Sequence, residues 1–305
     1  MLNTIRAQIK NIPIAIRIYD QIQYQMSKKA LRKSPEDAVS KLFKKMMGYE
    51  LDLNNPKTFN EKIQWMKLYW HDPILPTLVD KFTVRKYVAD KIGEEYLVPL
   101  YSTFNNVDDI IFEELPNGCV LKPNHGSGQV LIVRDKMKIN WPKERKAFER
   151  SMNNNFYYTW YEWAYKDIEP KIICEKLLDD QIIDYKFFCF GGIPEFLYVS
   201  QGLVQDHTLK VGFYDLNWEK MPFQRTDYEG LDGDLKRPNK LAEMEKLASE
   251  LSKGFPFVRV DLYCVEDEIY FSEMTFTPSS GYMPLNPDSY DVILGELLTL
   301  PEKKC

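Results

Sequence analysis

The sequence predicts an α+β fold. Three observations lead there. Apolar residues recur at helical spacing in several separate stretches, the clearest being Leu241, Met244, Leu247, Ala248 and Leu251. β-Branched and aromatic residues alternate with others in paired runs joined by short turns, the pattern of antiparallel hairpins. With 305 residues, 44% of them hydrophobic and 28% charged, the chain can bury a core of one large or two to three small domains.

Taken in order, residues 1–33 stand apart. Leu2, Ile5, Ile9, Ile12 and Ile16 form a helical stripe among Arg6, Lys10 and Arg17, and Lys28, Lys29, Arg32 and Lys33 follow. A basic amphipathic helix suits peripheral contact with an anionic membrane surface, and packing on the main body suits it as well. Pro13 weakens a continuous helix. Ser34 followed by Pro35, Glu36 and Asp37 reads as a helix start, with Gly48 as the stop. Residues 59–69 repeat at helical spacing, residues 78–90 read as one helix closed near Gly93, and residues 96–101 as a short strand. Cys119–Leu121 is a strand delivering Lys122. The turn Pro123-Asn-His-Gly-Ser-Gly128 follows, and residues 130–133 return. The glycines let backbone N–H groups approach a phosphate, although a flexible surface hairpin has the same pattern. The aromatic run in residues 153–166 reads as core packing, residues 172–178, 184–190, 195–199 and 211–214 as strands, and residues 241–252 as a helix.

The most informative stretch is residues 257–276, two strands with Glu266-Asp-Glu268 as the loop. Val265 then pairs with Ile269, Asp261 faces Glu273, and Arg259 faces Thr275. Alternation puts Arg259, Asp261 and Tyr263 on one face, and Phe271, Glu273 and Thr275 on one face. Opposed carboxylates about 5 Å apart repel unless a cation or proton lies between them, and their hard oxygens suit Mg²⁺. On its own the pattern also describes a hairpin whose charged face meets water. The small-residue loop Thr277-Pro-Ser-Ser-Gly281 comes next and can bring N–H groups against an anion.

Composition narrows the function. A net charge of −5 argues against a nucleic-acid binder. The five cysteines show no C-x-x-C spacing, and four sit in apolar strand-like runs, so metal sites and disulfides are not expected of them. No apolar run approaches the roughly 20 residues that span a bilayer, and Arg17 interrupts the only signal-peptide core. A cytoplasmic placement, peripheral at the inner membrane surface, is the expectation. Of His71, His125 and His207, only His125 sits in a loop of interest, where it reads as loop-shaping.

In series, the strings Asn55-Pro-Lys-Thr-Phe-Asn-Glu-Lys-Ile-Gln-Trp65, Val79-Asp-Lys-Phe-Thr-Val-Arg85, Asp184-Tyr-Lys-Phe-Phe-Cys-Phe190, Phe255-Pro-Phe-Val-Arg-Val-Asp-Leu-Tyr263 and Thr275-Phe-Thr-Pro-Ser-Ser-Gly281 resemble the ATP-grasp superfamily. More closely they resemble its TupA-like branch, associated with teichuronopeptide and capsular polysaccharide synthesis. The resemblance covers about residues 40 to 300. It implies two α+β subdomains with antiparallel sheets clasping ATP: residues 116–180 with the glycine-loop hairpin and hinge strand, and residues 181–305 with the metal hairpin. A helical region over 34–115 and the basic segment 1–33 precede them.

The resemblance further implies that Lys81, Lys122, Gly126, Ser127 and Gly128 hold the phosphates of ATP, and that Glu175, Lys176 and Leu178 meet the adenine. Asp261, Glu273 and Thr275 would hold Mg²⁺, with Thr275 standing where the superfamily usually has Asn, so the number of metals is open. Arg259 and Lys186 would be catalytic, and Thr277, Ser279, Ser280 and Gly281 would meet the substrate. The implied chemistry is ligation of an amine or amino acid to a carboxylated sugar or polysaccharide precursor through an acyl phosphate. On this view Lys122→Ala weakens ATP binding far more than stability. Two other classes are a glycosyltransferase, for which Asp232-Gly-Asp234 is the only metal string, and a non-catalytic nucleotide-binding partner.

Overall fold

The structure is a computed structural model describing residues 13–179, 182–202, 209–233 and 235–303. Helix α1 (Pro13–Lys33) turns directly into α2 (Pro35–Met47). Ser34 caps α2 by accepting the Asp37 N–H at 3.2 Å, and Gly48 ends it in the left-handed region at φ 86°. Residues 1–12 and the side chains of 13–17, which carry the stripe expected of the N-terminal segment, lie outside the described residues. The described part of α1 does not stand apart from the body. Leu31 is buried with Ala38, Val39 and Tyr161, and Tyr24 packs edge-on against Tyr158 at 5.9 Å.

Helix α3 (Phe59–Tyr69) opens with a reciprocal capping box between Thr58 and Glu61. The single helix expected over residues 78–90 is instead two, α4 (Leu75–Val79) and α5 (Val84–Ile92). The physical reason is Asp80, whose carboxylate accepts the backbone N–H groups of Phe82 at 2.8 Å and Thr83 at 3.4 Å and so competes with the helical ladder. The strand expected at 96–101 begins later, as β1 (Leu100–Phe104), because pairing with β4 sets its bounds.

Two antiparallel sheets follow. The smaller has the order β1-β4-β2-β3, from β2 (Cys119–Pro123), β3 (Leu131–Val133) and β4 (Ile172–Lys176), with α6 (Trp141–Met152) packed on it and the short α7 (Phe156–Trp160) next in the chain. The larger has the order β11-β10-β5-β6-β7-β9. Its strands are β5 (Ile183–Phe190), β6 (Ile193–Gln201), β7 (Lys210–Asp215), β9 (Glu229–Gly230), β10 (Phe257–Val265) and β11 (Glu268–Thr275). All pairings in it are antiparallel except β7 with β9. Strand β8 (Gln224–Arg225) pairs with β12 (Leu285–Asn286). Helix α8 (Leu241–Ser252) lays its apolar stripe on the back of the larger sheet, and α9 (Ser289–Leu297) packs against α3.

Each sheet owns a core. Val107, Phe112, Leu121, Phe148 and Cys174 bury themselves behind the smaller sheet. Phe59, Ile63 and Val88 join Phe187, Val260 and Met244 behind the larger one. Within residues 34–115, α3 to α5 complete the core of the larger sheet and β1 is an edge of the smaller.

Candidate functional site

A cleft of about 680 Å³ is lined by residues of both sheets. Its floor is the hairpin β10–β11, which reaches the expected register by an unexpected route. The loop is two residues, Glu266 and Asp267, both at positive φ (52° and 63°), and Val265 pairs with Glu268 rather than Ile269. A bulge then inserts Ser272, after which Asp261 faces Glu273 and Arg259 faces Thr275 as expected. The bulge also inverts parity, so Phe271 turns into the core at 5% exposure and does not share the face of Glu273 and Thr275. Ser272 replaces it on the cleft side, donating to the Tyr263 hydroxyl at 2.9 Å.

Cross-strand pairing continues this face as one row, Glu273–Asp261–Lys186–Tyr198, over four strands. Asp261 is fully buried beneath it. Arg259 grips Asp261 with both prongs, Nε at 2.7 Å and Nη2 at 2.6 Å, and Lys186 Nζ adds a contact at 2.8 Å. Nη2 of Arg259 also reaches Glu273 at 3.1 Å and Thr275 Oγ1 at 3.2 Å. Burial works against charge on Lys186, yet Asp184 and Asp261 hold it above the ordinary lysine range. Burial likewise opposes charge on Glu273, but Lys81, Arg259 and Lys186 together hold it far below the usual carboxylate range.

Above the floor lies the glycine loop. The Asp80 turn presents Lys81, whose N–H donates to the Asn124 carbonyl at 3.0 Å. Its Nζ donates to Gly126 O at 2.8 Å and pairs with Glu273 at 3.3 Å. Gly126 sits at φ 116°, and a Cβ there would meet Phe156 of α7 at 2.8 Å. Ser127 and Gly128 line the cleft with it. His125 is buried and donates to or accepts from Asn124 at 3.1 Å, in keeping with loop shaping. Lys122 is buried in a 2.7 Å pair with Glu175, which Arg85 also contacts at 3.2 Å. Burial pulls Lys122 down and Glu175 pushes it further up. Thus Lys81, Lys122, Gly126, Ser127, Gly128, Lys186, Arg259, Glu273 and Thr275 line one cleft. Glu175, Lys176 and Leu178 are not on its wall.

The loop after β11 is strained and pinned. Ser279 and Ser280 both take positive φ (50° and 55°), a cost on the order of 1 kcal/mol per residue. Gln64 and Lys67 of α3 donate to the Ser280 carbonyl at 3.1 and 2.9 Å, and Gln64 also to Gly281 O at 2.7 Å. Glu162 accepts from the hydroxyls of Thr277 and Ser280. Thr277, Ser279 and Ser280 face the cleft. Gly281 is turned away against Gln64 and Ile63, and the N–H groups of Ser280 and Tyr282 close the turn itself. Burial brings Lys67 down to about 7, against the attraction of Glu162, whose own carboxyl burial pushes up. The sequence reading missed Lys67, Glu162, Asp184, Trp160, Tyr198 and Arg225. The available signals were a glutamine and a lysine at i, i+3 among the apolar residues Ile63, Trp65, Met66 and Leu68 of α3, and one acid within an aromatic run. Trp160 and Tyr165 do line the cleft, so the aromatic run serves it as well as the core.

Among the described residues no cluster of three His, Cys, Asp or Glu side chains is placed to hold a metal. Glu273, with its side chain 30% exposed and the Thr275 hydroxyl beside it, fits Mg²⁺, which takes one or two carboxylates and completes its shell with water and phosphate oxygens. Asp261, expected as a second carboxylate ligand, is instead fully buried off the cleft wall with both oxygens engaged by Arg259 and Lys186. The buried cysteines 119, 174 and 189 are free thiols. Asp232 is exposed and paired with Lys210, and Asp234 lies outside the described residues. No described helix is long and apolar enough to cross a membrane.

Among solved structures, the chain is similar to D-alanine–D-alanine ligase from Bacillus anthracis, with 19% identity over 66% of this chain and 57% of that one and a TM-score of 0.38. It is also similar to the ATP-grasp ligase PsnB complexed with minimal precursor, Mg and ADP, with 10% identity over 83% and 66% and a TM-score of 0.39. The chain thus spans 57% and 66% of the length of these two proteins. Among curated proteins, none matches it. The TupA-like ATP-grasp family matches residues 61–299, well over half the chain, and it is to this family that the chain belongs.

Proposed function

We propose that the protein is an ATP- and Mg²⁺-dependent carboxylate–amine ligase that attaches an amine or amino acid to a carboxylated sugar in surface polysaccharide biosynthesis. The observation that carries this is the meeting of Lys81 and Arg259 with Glu273, and of Lys186 with neighbouring Asp261, below the Gly126–Gly128 loop. In this reading ATP supplies a phosphoryl group to the acceptor carboxylate, and an amine displaces phosphate from the acyl phosphate to leave an amide. Mg²⁺ would be held by Glu273 and Thr275, with Asp261 available to it only on release from Lys186, and would supply charge neutralisation at the phosphates.

The chain's residues then have few covalent tasks. Lys81 and Lys122 balance phosphate charge, and the N–H groups of Gly126, Ser127 and Gly128 orient the phosphates. Arg259 and Lys186 neutralise charge on the group in transfer, and their shared partner Asp261 keeps both aimed into the cleft. Glu175 holds Lys122 in place, and an adenine meeting Lys176 and the backbone at Leu178 would lie beyond the wall of this cleft. Thr277, Ser279 and Ser280 orient the acceptor, and Gly281 lets their loop lie close on α3. Peripheral membrane contact through residues 1–33 belongs to the same proposal. Its support is the exposed row Ile18, Ile22 and Met26 at helical spacing, beside exposed Lys29, Arg32 and Lys33.

A thermal-shift comparison tests the reading first. Mg·ATP is expected to raise the melting temperature and UDP-sugars to leave it unchanged. Amino acids paired with uronic acids should then release ADP and give an amide by mass detection. Stabilisation by a UDP-sugar and not by Mg·ATP would overturn the ligase in favour of glycosyl transfer.

A further inference from the structure

Beyond Lys81, Lys122, Lys186 and Arg259 the cleft wall carries one more cation, Arg225 on β8. It is buried, at 7% exposure, yet borders the cleft. Asp227 holds it from one edge, with Nε at 2.9 Å from Oδ1 and Nη2 at 2.7 Å from Oδ2. Two tyrosine rings lie against it, with the guanidinium carbon 4.6 Å from the Tyr228 ring centre and 5.7 Å from that of Tyr198. The guanidinium has five N–H donors, and these bonds leave Nη1 unengaged among the described residues. A buried, always-charged fork fixed on three sides is a preorganised receptor for a planar anion.

Its place in the row says which anion. Tyr198 is opposite Lys186, and the tyrosine feels Arg225, Lys186 and Arg259 together. Arg225 thus extends the cationic wall past the row that runs from Glu273. Three strand spacings separate Glu273 from Tyr198, roughly 14 Å, so there is room for a second anion beyond the first. Asp227 already cancels one charge of Arg225, which suits a monoanion better than a multiply charged phosphate. The tyrosine faces suit a sugar ring.

We propose that Arg225, packed against Tyr198 and Tyr228, recognises the carboxylate of a sugar acid that neighbours the reacting one in the acceptor, and so defines the acceptor end of the cleft. The proposal rests on the ligase reading for the word acceptor, but not for the site itself.

Calorimetric titration of the full chain with D-glucuronate and with D-glucose, each with and without Mg·ADP, tests it. The wild type is expected to bind glucuronate at least tenfold more tightly than glucose. Arg225→Met keeps the stacked stem and should lose that preference, while Mg·ADP affinity stays within twofold. Should the Met variant fail to fold, Arg225→Lys decides, with an expected loss of at least threefold for glucuronate alone. No preference in the wild type, or a preference that survives both substitutions, overturns the proposal. A carboxylate preference without any binding of Mg·ADP would sink the ATP-dependent reading and leave the subsite standing.

Discussion

Lys122 shows how a single side chain can be legible in type and misread in environment. A lysine before a glycine turn announces a phosphate contact, but nothing in the sequence near it announces Glu175 or Arg85, which pairing between strands brings from distant positions. Because the lysine is buried in that group, Lys122→Ala should lower stability as well as ATP affinity. Breaking a buried pair costs about 3–5 kcal/mol, and the remaining Arg85 places this case at the lower end. Lys122→Met keeps the apolar stem of the lysine and leaves Glu175 paired with Arg85. Its melting temperature should recover part of the loss while ATP affinity does not; recovery of both would mean that the lysine acts only through the fold. Lys67 invites a pH test. It titrates at about 7 in the folded chain against 10.5 as an ordinary lysine, so between those values the unfolded state binds the extra proton. Stability should therefore rise with pH across that window, by up to about 1.4 kcal/mol per pH unit. Denaturant titrations at several alkaline pH values check this, since the slope should be shallower in Lys67→Met; an unchanged slope would place the titration elsewhere.

At the level of elements, periodicity read the helices at 35–47, 59–69 and 241–252 almost to the residue, because caps and apolar stripes are local. Two local competitors were harder to see. One is the Asp80 turn, where a side chain outbids the helical ladder for two N–H groups. The other is the Ser272 bulge, which offsets the shorter turn and so conceals itself in the correct final register. Glu266 and Asp267 occupy left-handed positions that favour Asn and Gly. Glu266→Asn with Asp267→Gly should stabilise the hairpin by about 1–2 kcal/mol without moving Asp261 or Glu273. Thermal denaturation measures the gain, and unchanged Mg·ATP affinity confirms the register. A loss of stability would show that the Asn239 contact to Asp267 matters more than backbone strain.

Across the whole molecule, the order of landmarks was readable and their packing was not. The division into residues 34–115, 116–180 and 181–305 follows the chain, whereas the two cores gather residues from both sides of these bounds. Long-range contacts of this kind leave no periodic trace. The N-terminal segment makes the same point, since its basic stripe suited a membrane tether and packing on the body alike. In the fold, α1 packs on α2 and α7, Lys28 lies 4.6 Å over the Tyr158 ring, and Leu31 is buried. Helix α7 in turn supplies Phe156 and Trp160 to the cleft, with Phe156 pressed against Gly126. Removing residues 1–12 should therefore leave Mg·ATP affinity unchanged. Removing residues 1–33 uncovers Ala38, Val39 and Tyr161, forfeits the burial of Leu31, worth about 2–3 kcal/mol, and frees one side of α7. The longer truncation should lower the melting temperature by several degrees and weaken Mg·ATP binding several-fold, both read on the same protein by thermal shift and calorimetry. Sedimentation with anionic liposomes should fall in both truncations, most at low salt. If the longer truncation keeps its melting temperature and its nucleotide affinity, α1 is a tether alone and the coupling through α7 is wrong.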